Sequence, residues 1–218
     1  MKDRVYVTTS LKASEELRRE AAGWAAAAGA VYVSRGGRSV TELQNAYKHI
    51  LIYTDRGPEI HSEAGIHRFH LSMAELRIQH IREGDADHFL EAVGARESIS
   101  FLDCTCGFGA DAAVAYFRTV YRGFAMRRKN ALLSVTRLAS LRRSMRLDAV
   151  EASPLLGRVT AWGFSRFRHE RDDVNAALRR IRLHLGTYED FLRRCAEKSY
   201  DVIYFDPMFS RPVAESCS

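Results

Sequence analysis

Long apolar runs are missing from this chain of 218 residues, and no stretch approaches the length of a membrane span. The Ala-rich stretch 21–30 is too short, and the three glutamates before it argue against a signal peptide, namely Glu15, Glu16 and Glu20. The composition, 46% hydrophobic and 28% charged, is that of a soluble globular protein with one core and a smaller domain. We therefore expect a cytoplasmic protein with no membrane partner.

Metal-binding and disulfide patterns are also missing. The four cysteines show neither zinc spacing nor a secreted framework: they are Cys104, Cys106, Cys195 and Cys217. His67 and His70 have no carboxylate or cysteine at a convincing ligand spacing. We expect no metal site, and we expect Cys104 and Cys106 to be small packing residues.

Acidic residues are absent from one basic block, residues 118–146, which contains eight arginines and Lys129. Such a block can follow a phosphate backbone. The alternative, which we favour, is a solvated helix face or an irregular insertion. The net charge of +6 permits an acidic partner such as RNA without establishing one.

A glycine turn is the central motif that the chain does contain. A short apolar run ends at Asp103 and opens into a turn with Gly107 and Gly109, and a helical stretch follows at 110–117. Strand, glycine turn and helix form the first unit of a nucleotide-type α/β fold. Glycine lets the backbone pass close to a ligand, and the helix directs free N–H groups to the same place. Alone, such a turn is often only a tight connection.

A second motif lies near the C-terminus. The apolar strand 202–205 delivers Asp206, Pro207, Met208 and Phe209 to its end. Ligands of open parallel sheets bind at the carboxyl ends of the strands, so both motifs should face one crevice. The structural alternative is that Asp206 and Pro207 form a turn and Phe209 fills the core.

The remaining pattern predicts a small α+β domain at 1–66, a helical connector at 67–97 and a Rossmann-like domain at 98–218. The first domain should contain strands 5–9, 31–33, 49–53 and 59–61 and helices 12–28 and 40–46. The connector should contain helices 72–82 and 85–93, with Arg77 and Arg82 reaching solvent or RNA. The last domain should alternate strands and helices in a parallel sheet, with strands at 147–151, 181–185 and 202–205, helices at 171–180 and 191–196, and a loop at 186–190.

These residues together resemble a class I S-adenosylmethionine (SAM) methyltransferase. The chain is most similar to the RsmJ family of 16S rRNA guanine-N2 methyltransferases and its uncharacterised bacterial relatives. The resemblance covers most of the chain and is carried by segments 7–9, 69–74, 101–111, 150–154, 168–175 and 202–209. The tetrapeptide at 206–209 is its most specific part, because it resembles the Asn/Asp-Pro-Pro-Tyr/Phe motif of amino-directed methyltransferases.

The resemblance implies SAM as cofactor and RNA, in 16S rRNA or the small ribosomal subunit, as partner. It implies that the cofactor is bound by Asp103, Thr105, Gly107, Gly109, Asp111, Glu151 and Ala152. Glu151 would hold the ribose, and an adenine contact near 186–190 stays open. The catalytic residues that it implies are Asp206, Pro207 and Phe209. Asp206 would orient a guanine amine, and Phe209 would stack on the base.

One departure from the class I pattern concerns the sheet, which normally continues through further strands, whereas this chain stops soon after Phe209. We therefore expect a sheet that is incomplete after its fourth strand, as a fragment, a truncated gene or a degenerate copy. Two other functions stay open. One is methylation of a protein or small-molecule nitrogen, and the other is a non-catalytic remnant that binds RNA through the basic block.

Overall fold

Two β-sheets share one main hydrophobic core. The computed structural model describes residues 4–94, 99–117 and 145–206. Within these ranges, no helix is long and apolar enough to cross a membrane. Residues 118–144 of the basic block lie outside the described residues, and so does the tetrapeptide beyond Asp206. The last arginine of the block, Arg146, is described, and its side chain binds Asp148.

The first sheet has five strands in the order β2-β1-β3-β4-β5. The strands are β1 (Tyr6–Thr9), β2 (Val31–Tyr32), β3 (His49–Thr54), β4 (Gly57–Ser62) and β5 (Gly65–Arg68). The first three are parallel, and β3, β4 and β5 form an antiparallel meander. Helices α1 (Glu15–Ala28) and α2 (Val40–Ala46) connect the parallel strands. The sequence did not predict β5.

Local capping explains where these two helices begin and end. The Ser14 side chain accepts a hydrogen bond from the Leu17 amide, and Gly29 ends α1 in the left-handed conformation with φ 66°. Ser39 and Glu42 form a capping box at the start of α2. The helix predicted at 12–28 therefore begins three residues later, and the helix predicted at 40–46 is confirmed.

The connector contains helices α3 (Ser72–Glu83) and α4 (His88–Val93). The interpretation of Arg77 and Arg82 as side chains free to reach RNA was wrong. Arg77 binds Asp87 and Asp111, and Arg82 binds Asp173 across two elements distant in sequence. Both guanidiniums are half-buried, because each also lies over an aromatic ring.

The second sheet has four parallel strands in the order β8-β7-β6-β9. They are β6 (Ser100–Asp103), β7 (Arg146–Glu151), β8 (Ile181–Leu185) and β9 (Val202–Tyr204). The helices are α5, described at 110–117, α6 (Pro154–Arg166), α7 (Asp172–Arg180) and α8 (Tyr188–Arg193). The strand order reverses between β6 and β9, so the sheet has its switch point there. The predicted α/β parallel sheet is confirmed.

Three details of this sheet differ from the sequence prediction. Helix α6 was not predicted at all. Helix α8 begins at Tyr188 because the Thr187 side chain caps it, so the predicted loop at 186–190 and helix at 191–196 were both misplaced. Strand β9 is not fully buried, since Ile203 is 47% exposed and Phe205, just beyond it, is 43% exposed.

A buried carboxylate stabilises the face of the second sheet that α8 covers. Asp148 on β7 is fully buried and accepts hydrogen bonds from Arg146, Arg182, His184 and Tyr200 at 2.6–2.9 Å. Burial raises the pKa of Asp148, but these hydrogen bonds outweigh burial and hold its pKa below the ordinary value. Its ionised form therefore stabilises the fold.

Replacing Asp148 by Asn should lower the free energy of unfolding at neutral pH by about 3 kcal/mol, because four cationic or polar groups lose a buried charged acceptor. Since the folded pKa is depressed, the stabilisation is present above the unfolded pKa of about 4 and is lost as pH falls through the folded pKa. Denaturant melts of wild type and D148N should therefore converge in acid. D190N removes an exposed pair with Arg193 and is the control; an equal loss in both variants would contradict the prediction.

Candidate functional site

The two motifs meet at the switch point of the second sheet. Asp103 pairs in register with Tyr204, so the segments that follow both strands leave the sheet side by side. The amide of Asp206 donates to the Thr105 hydroxyl at 2.7 Å. The amide of Cys104 donates to the Tyr204 carbonyl at 2.9 Å. The structure thus brings Asp206 to the glycine turn, with its side chain exposed.

Two glycines shape the turn in different ways. Gly107 and Gly109 both have positive φ, 54° and 77°. A Cβ on Gly109 would overlap the Phe164 ring, whereas a Cβ on Gly107 would meet nothing within 4 Å. The Thr160 hydroxyl donates to the Gly107 carbonyl at 2.7 Å. Helix α6 therefore supports the turn from below, and the side of Gly107 is open for a ligand.

Glu151 ties the end of β7 to the same turn. One carboxylate oxygen accepts from the Gly107 amide at 3.0 Å, and the other accepts from the Ser153 amide at 2.8 Å. Ala152, between Glu151 and Ser153 in the sequence, is exposed. A carboxylate oxygen has two lone pairs, so each oxygen can still accept from a ligand hydroxyl. Glu151 thus holds the turn and keeps acceptor capacity for a ligand.

Asp103 is the most deeply buried acid of the site, with 1% of its surface exposed. Burial is the main cause that raises its pKa to about 7. The Thr105 amide donates to it at 3.0 Å and lowers the pKa, while the charges of Asp111, Asp206 and Glu151 raise it further. Such a carboxyl favours a cation as its partner.

The carboxylate of Asp111, in the first turn of α5, is paired with an arginine of the fold. Arg77 on α3 donates to Asp111 at 2.6 Å and to both carboxylate oxygens of Asp87 at 2.9 and 3.0 Å. Sequence reasoning missed this role of Arg77. The available signal was that Arg77 lies close to the apolar face of the amphipathic helix α3. Its partner Asp111, however, is 34 positions away in the sequence.

Aromatic residues from the connector enclose the outer side of the turn. Phe108 lies between the two glycines in the sequence, and its ring contacts that of His70, with ring centroids 4.8 Å apart. Phe69 is buried against Phe108, Phe164 and Phe167. The segment before α3 therefore positions the turn, which periodicity alone does not indicate.

Of the ten residues that the sequence singled out, the structure brings eight together around this switch point. They are Asp103, Thr105, Gly107, Gly109, Asp111, Glu151, Ala152 and Asp206. Pro207 and Phe209 lie outside the described residues. In the described ranges, no group of three His, Cys, Asp or Glu side chains is placed to hold a metal ion.

Comparison with known proteins identifies the fold. No protein-family model matches the chain. The uncharacterised protein YpiP of Bacillus subtilis is 26% identical over 212 residues, covering 96% of this chain and 74% of YpiP. Ribosomal RNA small subunit methyltransferase J from two pathovars of Pseudomonas syringae is 32% and 31% identical over 128 residues. This match covers 58% of the chain and 38% of the methyltransferase.

A solved structure extends this likeness in three dimensions. The crystal structure of a SAM-dependent methyltransferase from Neisseria gonorrhoeae superimposes with a TM-score of 0.60 over 94% of this chain and 70% of that one, at 17% identity. The expected resemblance to methyltransferase J and to an uncharacterised bacterial relative is thus confirmed. The chain has the Rossmann-like fold of a SAM-dependent methyltransferase.

The two glycines should respond differently to substitution by alanine. G109A should lower stability by about 2–4 kcal/mol, because positive φ is strained and the new methyl group overlaps Phe164. G107A should cost only about 1–2 kcal/mol of strain, yet weaken binding of S-adenosylhomocysteine, because its methyl group points into the open side. Thermal melts and calorimetric titration separate the two effects. Equal destabilisation with unchanged binding would refute this assignment.

We expect Asp103 to face the ammonium group of the ligand. Binding of S-adenosylhomocysteine should then tighten as pH rises from about 6 to about 8, because the Asp103 carboxyl, with a pKa of about 7, becomes ionised in this range. D103N, which keeps an acceptor for the Thr105 amide, should abolish this dependence. Stability has the opposite sign: a raised folded pKa means that the free fold is destabilised as pH rises through 7. D103N should therefore melt higher than wild type at about pH 8. A flat pH profile in wild type would contradict the assignment.

Proposed function

We propose that the chain is a SAM-dependent methyltransferase that methylates the exocyclic N2 amine of a guanine in small-subunit rRNA. The observation that carries the proposal is the hydrogen bond from the Asp206 amide to the Thr105 hydroxyl, 2.7 Å long. It holds an acid, at the start of an amine-specific tetrapeptide, beside the glycine turn. Such a substrate also implies action in the cytoplasm.

The residues around the turn suit the parts of SAM. The open side of Gly107 leaves room for the methionine backbone, and the first-turn amides of α5 suit its carboxylate. Asp103 suits its ammonium group, and Glu151 retains acceptor capacity for the ribose hydroxyls. When bound, SAM supplies an electrophilic methyl group on a positively charged sulfur.

Asp206 can activate the guanine amine, which is a poor nucleophile. The lone pair of that nitrogen is delocalised into the ring, which makes it a poor nucleophile. A hydrogen bond from the amine to the Asp206 carboxylate orients the nitrogen and stabilises the positive charge that grows on it. Asp206 then accepts the proton that the amine loses, a role typically worth about 10²–10⁴-fold in rate. Phe209 would stack on the base, worth roughly 1–3 kcal/mol.

The rRNA substrate is supported by the similarity to methyltransferase J, although that similarity covers only 38% of the relative. A base paired in rRNA must leave its stack to reach this site, which costs a few kcal/mol. Because Asp206 is exposed, an extruded base has access to it. The chemistry of the site alone equally fits a nitrogen on a protein or a small molecule.

The test is methyl transfer from labelled SAM to unmodified 16S rRNA and to small ribosomal subunits. We expect D206A to lose about 10²-fold or more of the rate while binding S-adenosylhomocysteine normally. D206N, which keeps an acceptor but not the charge, should retain an intermediate rate. Transfer that survives D206A would refute the mechanism. Label that resists ribonuclease would replace RNA by a protein or small-molecule acceptor.

A further inference from the structure

The N-terminal sheet contains a second switch point. Its parallel strands run in the order β2-β1-β3, so the chain leaves β1 on one side and returns to β3 on the other. Helix α1 packs on the face that includes Val7 and Leu51, and α2 packs on the opposite face against Ile50 and Ile52. Open sheets of this kind bind ligands at the carboxyl ends of the strands beside the switch point. For this sheet, that edge lies next to Thr9 and Thr54.

Two arginines approach this edge from the loop that joins β2 to α2, residues 34–39. Arg35 donates to the Arg38 carbonyl at 2.6 Å and, at a long 3.5 Å, to the carbonyl of Thr9 at the end of β1. Arg38 donates to the Ser34 carbonyl at 2.6 Å and to the Arg35 carbonyl at 3.4 Å. Gly36 and Gly37 adopt positive φ between them, which folds the loop so tightly that both guanidiniums share one corner.

In the part of the chain that the structure describes, the charge of this pair has no ion-pair partner. Among residues 4–94, 99–117 and 145–206, no carboxylate lies within 4.0 Å of either guanidinium, whereas Arg77, Arg82 and Arg158 all have carboxylate partners. Burial and the charge of Arg38 lower the pKa of Arg35. Two half-buried like charges in one corner raise the free energy of the fold, and an anion bound there relieves that cost.

A buried polar atom lies in β1, one residue before the carbonyl that Arg35 approaches. Thr8 is fully buried, and its hydroxyl has no hydrogen-bond partner in the part of the chain that the structure describes. It pairs in register with Ile52, so its side chain is on the α2 face, one residue before the Thr9 carbonyl that Arg35 reaches. A hydroxyl without a partner in such a position is costly unless a ligand or water satisfies it.

Neighbouring charges define the direction from which an anion can approach. On the α1 face of the same edge, a cavity of about 270 Å³ has Glu16 and Asp55 in its wall, which disfavours phosphate there. On the α2 face, the acid whose charge acts on Arg38 is Glu42, and Glu42 already accepts from the Ser39 amide at 2.6 Å. The 34–39 loop is therefore the direction from which we expect an anion to approach this edge.

We infer that the 34–39 loop, with Arg35 and Arg38, is a binding site for the phosphodiester backbone of the RNA substrate. The inference rests on the proposed function, because it assigns the N-terminal sheet to the same RNA. Two guanidiniums match two phosphate groups, since each has N–H donors left beyond those that bind backbone carbonyls. Contacts of this kind position the RNA and read no sequence.

The test is salt-dependent binding of a fluorescein-labelled single-stranded 16S rRNA fragment, followed by anisotropy. R35Q/R38Q should weaken binding about tenfold and reduce the slope of log K against log salt by about 1.4, which is two phosphates at about 0.7 each. R18Q/R19Q is the matched control, because it removes the same charge from an exposed part of α1. Equal effects of the two double variants, or no effect of R35Q/R38Q, would overturn the inference.

A second measurement needs no variant to fold. Phenylglyoxal modifies free guanidinium groups, and peptide mass spectrometry reports the modified positions. RNA should slow modification of Arg35 and Arg38 but not of Arg18 and Arg19, and absence of protection would overturn the inference. Failure of this binding site can be distinguished from failure of the proposed function. If wild type methylates RNA and R35Q/R38Q keeps the same KM, only the binding site is wrong; if wild type binds no RNA at all, both RNA assignments fall.

Discussion

The position of helix α6 between the two sheets is the constraint on which the candidate site depends. Helix α6 packs so closely against its neighbours that three contacts require glycine, because a Cβ there would overlap an aromatic ring. Two of these rings belong to α6, since Trp162 lies on Gly57 and Phe164 lies on Gly109. In the third contact the glycine is on α6, since Gly163 lies against Phe69. Polar contacts add to this packing, because Arg158 binds Tyr53 on the first sheet and Glu20 on helix α1. Close packing transmits displacements rather than absorbing them. A shift of the N-terminal sheet therefore displaces α6, and with it the glycine turn.

Charge is distributed unevenly around the turn. Asp103, Asp111, Glu151 and Asp206 lie close enough for each of the others to raise the pKa of Asp103, and Arg77 compensates only Asp111. An arrangement that is unfavourable in the free fold becomes favourable when a cation binds, because the desolvated carboxyl then has a partner. The buried acid thus couples binding of a cationic ligand to deprotonation. In contrast, the buried Asp148 has its cations within the fold and is a purely structural group.

The sequence was sufficient for those parts of the fold that depend on local patterns. Apolar runs, caps and glycine turns predicted most strands, both N-terminal helices and the meeting of Asp206 with the glycine turn. It was insufficient where distant contacts decide. Helix α6 contains two glycines and β-branched residues that lower its helix propensity, and packing on both sheets overrides this. The role of Arg77 depends on Asp111, and the exposure of Ile203 depends on the neighbours of β9 in the sheet, neither of which a local window contains.

The two switch points carry opposite charge, and this difference has a consequence for an RNA substrate. Four acidic side chains surround the crevice between β6 and β9, with Asp103 buried beneath it, and their charge favours a cationic cosubstrate but repels phosphates at close range. A target base can enter that crevice only if the backbone of the RNA is held elsewhere. The 34–39 loop beside β1 and β3 has the opposite character, since Arg35 and Arg38 have no carboxylate partner among the described residues. Under the proposed function, separating the two tasks would let one chain bind an RNA backbone and keep the acidic environment that suits a cationic cosubstrate.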